Sequence, residues 1–305
     1  MRNIYAIGET VYDIIFKNGQ PVAAKAGGSM LNSVVTMGRL KLPVSFISEY
    51  GIDEIGIEID NFLNENYVNT QSVYKFTEGK TSIAIAFLNE KNDAHYNFYK
   101  ELPINRLNVQ LPKTKTDDIV LFGSFYAIAR EVRPKLKTFM KAASANNAIV
   151  IYDPNFRKAH LFELDDLMPF IIENIQMSTI VRGSHEDFKM IFNVDNADQA
   201  YEKIGKYCQC LIYTHNSQGV CIRTPKVKAH FEAKSVLPVS TIGAGDNFNA
   251  GLIYALNKYK MPCCKLVDLD EQQWGRLIQC GIELASEVCL SYDNYISVEF
   301  ADNYI

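Results

Sequence analysis

Short runs of β-branched and aromatic residues alternate along the chain with longer stretches in which apolar residues recur every three or four positions. The runs Asn3 to Gly8, Val44 to Glu49, Asp118 to Gly123, Ala148 to Asp153, Ser178 to Val181 and Cys210 to Thr214 are nearly continuous in apolar residues, and most end in Gly, Asp or Thr. Such runs suit strands covered on both faces. Met30 to Leu40, Glu54 to Asn64, Val132 to Ala145 and Ala197 to Tyr207 have the helical period instead. The alternation predicts βα units and a mainly parallel sheet, whose ligands bind at the carboxyl ends of the strands. Two stretches break the rhythm: Thr10 to Lys25, and Ser72 to Tyr99 with its runs Ser82 to Phe87 and His95 to Tyr99. They predict antiparallel strands without helices. A small sheet built from these two excursions, approximately residues 10–25 and 72–100, would cover a site at the strand ends as a lid. No repeat, low-complexity tract or linker interrupts the chain, so residues 1–305 read as one α/β domain bearing this lid.

Composition narrows the functional classes. With 305 residues, 31 basic and 35 acidic side chains and a net charge of −4, the chain is mildly acidic and long enough for a large core. Hydrophobic residues at 48% and charged residues at 22% fit an ordinary globular protein. The absence of a Lys/Arg block argues against nucleic acid as a partner. No run of about 18 apolar residues is present, so no membrane helix is expected. Met1 to Gly8 reads as a strand rather than a signal peptide, and a cytoplasmic protein is expected. Seven scattered cysteines without a CxxC pair suggest neither a disulfide framework nor a zinc ribbon. His185-Glu186 opens like a zinc helix, but Lys189 stands where the second His would be needed.

The most informative segment is Ser240-Thr241-Ile242-Gly243-Ala244-Gly245-Asp246-Asn247-Phe248-Asn249-Ala250-Gly251, which runs into an apolar helix. Glycines allow a sharp turn that aims several N–H groups at one spot, and a helix N-terminus there makes an anion hole. Asp246 beside a bound phosphate could take a proton from an attacking hydroxyl. The plainer alternative is a tight turn with Asp246 near the helix start. No GxxxxGK[ST] loop is present.

This segment resembles the second signature of the ribokinase-like (PfkB) sugar kinase family, D-T-x-G-A-G-D-x-F-x-x-G, with only its first Asp replaced, by Ser240. Gly27-Gly28-Ser29-Met30-Leu31-Asn32, running on to Gly38-Arg39-Leu40, is similar to the first signature. Ile7 to Asp13 resembles the opening strand with its sugar-binding Asp, and Asp153-Pro154-Asn155-Phe156-Arg157 resembles the D-x-N-x-R segment most familiar from fructokinase-type members. The resemblance implies a three-layer α/β/α fold and an ATP-dependent sugar kinase of the fructokinase-like branch. It implies Asp246 as general base, Gly243, Ala244 and Gly245 as anion-hole donors, and Arg157 as the cation holding phosphate. Asp13, Gly27, Gly28 and Asn32 would bind a ketohexose such as fructose. Thr214, Asn216, Gly219 and Thr241 would lie against the nucleotide. A homodimer joined through the lid is expected, burying the apolar strand faces around Ile14, Ile83, Ile85, Phe87 and Phe98.

Departures from the family pattern shape further expectations. Ser240 cannot supply the charge with which many members bind a monovalent cation, so potassium activation is doubtful. The N-x-x-E motif that holds the water shell of magnesium aligns with Ser184-His185-Glu186-Asp187, leaving Asp187 to act through water. In the T-x-G-x-x-G turn, Asn216 replaces the middle Gly, and Asn tolerates positive φ. A kinase for a keto-deoxy sugar acid would want an extra cation from Lys25, Lys80 or Lys100. The same motifs would also suit a nucleoside kinase, and the altered positions would suit a sugar or nucleotide sensor without turnover.

Overall fold

The computed structural model describes residues 2–88 and 94–305; the middle of the second lid excursion, 89–93, lies outside them. The chain opens with β1 (Ile4–Ile7), continues into β2 (Val11–Lys17) and β3 (Gln20–Gly27), and turns into α1 (Ser29–Arg39). Next come β4 (Val44–Gly51), α2 (Glu54–Glu65), β5 (Val73–Phe76), β6 (Lys80–Leu88) and β7 (Ala94–Glu101). A regular alternation follows: β8 (Ile119–Gly123), α3 (Arg133–Ala145), β9 (Ile149–Asp153), α4 (Leu164–Gln176), β10 (Ile180–Ser184), α5 (His185–Phe192), α6 (Ala197–Ile204) and β11 (Leu211–Thr214). The chain closes with β12 (Val220–Arg223), β13 (Lys228–Phe231), α7 (Ala244–Lys258), α8 (Glu271–Val288) and α9 (Val298–Tyr304).

Among the described residues a large sheet runs β13-β12-β11-β10-β9-β8-β1-β4-β5, parallel from β11 through β5. β1 is flanked by β8 and β4, with Ile4 in register with both Ile119 and Val44. Successive strand residues point to opposite faces. Ile4, Ala6, Ile119 and Leu121 therefore join a core with α1, α7 and α8, while Tyr5, Ile7, Val120 and Phe122 join another with α3 to α6. Both faces are covered, which is the physical reason these strands read as continuous apolar runs. The result is the three-layer α/β/α fold.

The small sheet differs from the expectation in two respects. Val73 to Phe76 belongs to the large sheet, pairing parallel with β4 at its edge, so the second excursion starts at β6. The small sheet, ordered β3-β2-β6-β7, is also not wholly antiparallel: β2 and β6 pair parallel, Tyr12 with Ile83 through Lys17 with Leu88. Both strands leave the same end of a parallel sheet and so run in the same direction. Of the strand faces expected to be bare, Phe87 and Phe98 are exposed, whereas Ile14, Ile83 and Ile85 are half-buried. Ser178, expected to begin a strand, donates its hydroxyl to the Asn174 carbonyl, and β10 starts two residues later. Among the described residues no helix is long and apolar enough to cross a membrane.

Candidate active site

The site lies where the carboxyl ends of β1, β9, β10 and β11 meet the first turns of α1 and α7. α7 begins at Ala244 with Gly243 as its N-cap, and no side chain caps it. Its leading amides have no partner within the helix and lie at the positive end of the helix dipole; Ala244 N reaches back to the Thr241 carbonyl at 3.3 Å. Gly243 makes this turn possible: its φ is +80°, and a Cβ would stand 2.6 Å from the Asn294 carbonyl.

Asp246, in the first turn of α7, is gripped from α1. Ser29 Oγ donates to its Oδ1 at 2.6 Å, Asn32 Nδ2 donates to its Oδ2 at 2.8 Å, and Ser33 Oγ donates to its backbone carbonyl at 2.9 Å. Burial raises the affinity of this carboxyl for a proton, and so does the charge of Asp153. The bonds from Ser29 and Asn32 and the field of Arg157 oppose that rise. Asn32 spends its amide on Asp246 and keeps a buried carbonyl oxygen without a partner, an acceptor for a ligand hydroxyl. Further along α1, Thr36 Oγ1 donates to Asn247 Oδ1 at 2.5 Å and accepts from Ile296 N. Asn247 Nδ2 donates to the Gly243 and Asn294 carbonyls.

Asp13 stands on β2 opposite Lys25 of β3, with its carboxylate against Gly27. Burial pushes its carboxyl up to about 6, and Lys25 only partly opposes this. Gly28 is the N-cap of α1 with φ +126°, where a Cβ would lie 2.3 Å from the Glu9 carbonyl. Lys25 Nζ donates to the Tyr292 carbonyl at 2.7 Å, and Lys100 of β7 pairs with Glu9, so two cations of the small sheet reach across to the body.

On the other side of Asp246, Arg182 donates from Nη1 to Asp153 Oδ2 at 2.8 Å and from Nη2 to Thr214 Oγ1 at 2.9 Å. Asn249 Nδ2 donates to the same Asp153 oxygen at 2.6 Å. The Arg182 guanidinium packs so tightly under α7 that a Cβ on Gly245 would meet it at 2.9 Å. Arg157 is exposed at the rim. Asn216 takes φ +45° in the turn that ends at Gly219, and His215 stacks on His185 with ring centroids 4.0 Å apart. Thr241 is exposed just before the anion hole. Val239 N and Ser240 N both donate to the Cys289 carbonyl, and Ser240 Oγ accepts from Ile242 N. The loop that opens the second signature is thus held by protein groups.

Asp187, expected to reach magnesium through water, is turned into the fold. Its Oδ1 accepts from Phe156 N at 2.7 Å, and its Oδ2 accepts from the backbone and hydroxyl of Ser184, closing a capping box on α5. Arg182 escapes the sequence reading altogether, and Ser29, Asp153 and Asn249 stand in the quoted motifs without an expected role. Arg182 has the clearest signal, because a charged residue inside an apolar strand must have a buried partner.

Residues 1–300 match the pfkB family of carbohydrate kinases. A fructokinase of Vibrio alginolyticus is 22% identical over 262 residues, covering 85% of each chain, and fructokinase-1 of Zea mays is 26% identical over 78% of this chain and 76% of its own. In fold, the chain is similar to an aminoimidazole riboside kinase from Salmonella enterica complexed with aminoimidazole riboside and an ATP analog. The TM-score is 0.85 at 18% identity, over 99% of this chain and 98% of the other. A fructokinase from Vibrio cholerae in a fructose, ADP and calcium ion bound form gives a TM-score of 0.83 at 18% identity, over 98% and 96%. With the family match spanning nearly the whole chain and the glycine-led first turn of α7 in place, the chain belongs to the pfkB family of carbohydrate kinases, phosphotransferases that use an alcohol group as acceptor.

Proposed function

We propose that this kinase transfers the γ-phosphoryl group of ATP to a primary hydroxyl of a ketohexose such as fructose. The observation that carries the reading is the placement of Asp246: its carboxylate sits in the first turn of α7, at a helix start that no side chain caps, and is held by α1, which follows Gly27 at the end of β3 and has Gly28 as its N-cap. A sugar hydroxyl oxygen attacks the γ-phosphorus, Asp246 takes its proton, and the bond to the departing ADP oxygen breaks. The amides of Gly243, Ala244 and Gly245 receive the negative phosphoryl oxygens, and Arg157 screens them from the rim. Magnesium arrives with ATP as part of the substrate. Asp187, whose oxygens accept from Phe156 N and Ser184, would leave direct contact with that metal to nucleotide oxygens. Thr214, Asn216 and Gly219 are assigned to the nucleotide side, and the small sheet to a lid.

A neutral polyol suits the sugar side better than a sugar acid. Lys100 is already paired with Glu9, Lys25 is engaged with Tyr292 and faces Asp13, and Lys80 lies in the field of Asp53. A substrate carboxylate would therefore meet Asp13 and Glu9, with Lys25 and Lys100 already engaged. A nucleoside substrate is the second reading, and the riboside kinase of similar fold supports it.

The test is coupled ADP release from ATP and magnesium with fructose, ribose, keto-deoxygluconate or adenosine, each in sodium or potassium. Fructose is expected to be the best acceptor, with rates equal in the two salts because the Ser240 loop is already held by the Cys289 carbonyl. Turnover of adenosine alone would replace the ketohexose reading. If nothing turned over above an Asp246→Asn control while sugar or ATP raised Tm, the chain would be a sensor.

Acidity gives a second check. Asp13 accepts sugar hydroxyls only when ionised, and its carboxyl titrates at about 6. Protonation therefore removes the acceptor as pH falls, so the sugar KM should rise about tenfold per pH unit below 6 while the ATP KM stays level. A sugar KM flat between pH 5 and 7 would remove Asp13 from the sugar site.

A further inference from the structure

We propose that Ser29 is a positioning residue for the phosphoryl-transfer step: its hydroxyl fixes the plane of the Asp246 carboxylate and keeps that carboxylate in its proton-accepting form. The inference rests on Asp246 as the base. Ser29 is the first residue of α1, directly after the Gly28 cap, so its side chain leaves the helix where no preceding turn crowds it. Its Oγ lies 2.6 Å from Asp246 Oδ1, and Asn32, one turn on, takes the other oxygen.

Two donors on two oxygens prevent rotation of the carboxylate, whereas one donor alone would leave it a hinge. Each oxygen still has a lone pair, so a substrate hydroxyl can be received without displacing either donor.

The surroundings make this donor consequential. Asp153 presses a negative charge on Asp246 from the end of β9, and burial acts in the same direction. Arg157 opposes them from the exposed rim, and Arg182 lies against neighbouring Gly245 but is committed to Asp153 and Thr214. From α1, the groups bonded to the carboxylate are the uncharged Ser29 and Asn32. Without Ser29, Asp246 would lose one of two hydrogen bonds that favour its ionised form.

The experiment measures kcat against pH for wild type, Ser29→Ala, Ser29→Thr and Asp246→Asn on the best acceptor at saturating ATP. Ser29→Ala should move the acid limb upward by about half a unit to one unit, which lowers kcat about threefold to tenfold on the acid side of that limb, so that much of the rate returns at higher pH. The ATP KM should stay level, and Ser29→Thr, which keeps the hydroxyl, should recover most of the loss. Should the Ala variant prove too unstable, Ser29→Cys asks the same question with a weaker donor and should give an intermediate shift. An Ala or Cys variant with the wild-type acid limb would overturn the proposal. If Asp246→Asn stays active, the base assignment itself falls; if it is inactive while Ser29→Ala is unchanged, only the role of Ser29 does.

Discussion

Asp246→Asn is expected to lower kcat by about 10³-fold, because general-base removal typically costs between about 10² and 10⁴. The substitution keeps size and shape, and one amide oxygen can still accept from Ser29 or Asn32. It cannot accept from both and also take a proton, since the amide nitrogen is a donor. Melting temperature and the sugar KM should change little, placing the loss in the step where the proton moves. Steady-state kinetics beside a thermal melt decide the matter: retained wild-type turnover in a folded variant would take the base elsewhere.

Replacing Arg182 by Met should be the most destabilising single change in the site. Its guanidinium and the Asp153 carboxylate form an ion pair at 2.8 Å, with side chains only 7% and 1% exposed. Deleting one partner of such a pair costs about 3–5 kcal/mol, because the other charge stays buried and uncompensated. Asp153 would keep its bonds from Asn249 and the Asn155 amide but lose its counter-charge. Urea denaturation measures the effect, and Asp153→Asn combined with Arg182→Met should recover part of it by removing both charges. A loss under about 1 kcal/mol would mean that water or a neighbouring cation compensates Asp153.

The contrast between these two residues explains what the chain reveals unaided. Asp246 lies in one contiguous segment whose glycines, acid and following apolar helix together predict the glycine-led start of α7 that the structure has. The parallel strands are equally legible, because burial on both faces leaves a local mark. Ser29 is different: its partner lies 217 residues away, and nothing in Gly-Gly-Ser distinguishes a serine facing water from one facing a carboxylate. The capping box of α5 is hidden for a related reason, since a carboxylate three residues after Ser184 is as well suited to closing such a box as to meeting a metal's water. The β12–β13 hairpin was open to reading, with alternating residues on either side of Thr224-Pro225, but it interrupts a parallel pattern that draws attention elsewhere. The direction of β2 against β6 depends on where two separate excursions leave the body, which no local pattern encodes.

That parallel pairing bears on how the molecule could be taken apart. β2 and β6 are neighbours in space, but α1, β4, α2 and β5 lie between them along the chain. Cutting the small sheet away from the large one would release two hairpins with no covalent link, each too small to persist alone in water. The small sheet is therefore not a transplantable module. Its central seam closes a long loop, and the entropy of that closure is met only when the intervening helices and strands are already packed. Whatever loosens the body loosens the small sheet, so the two share one cooperative unit rather than a rigid base and an independent appendage.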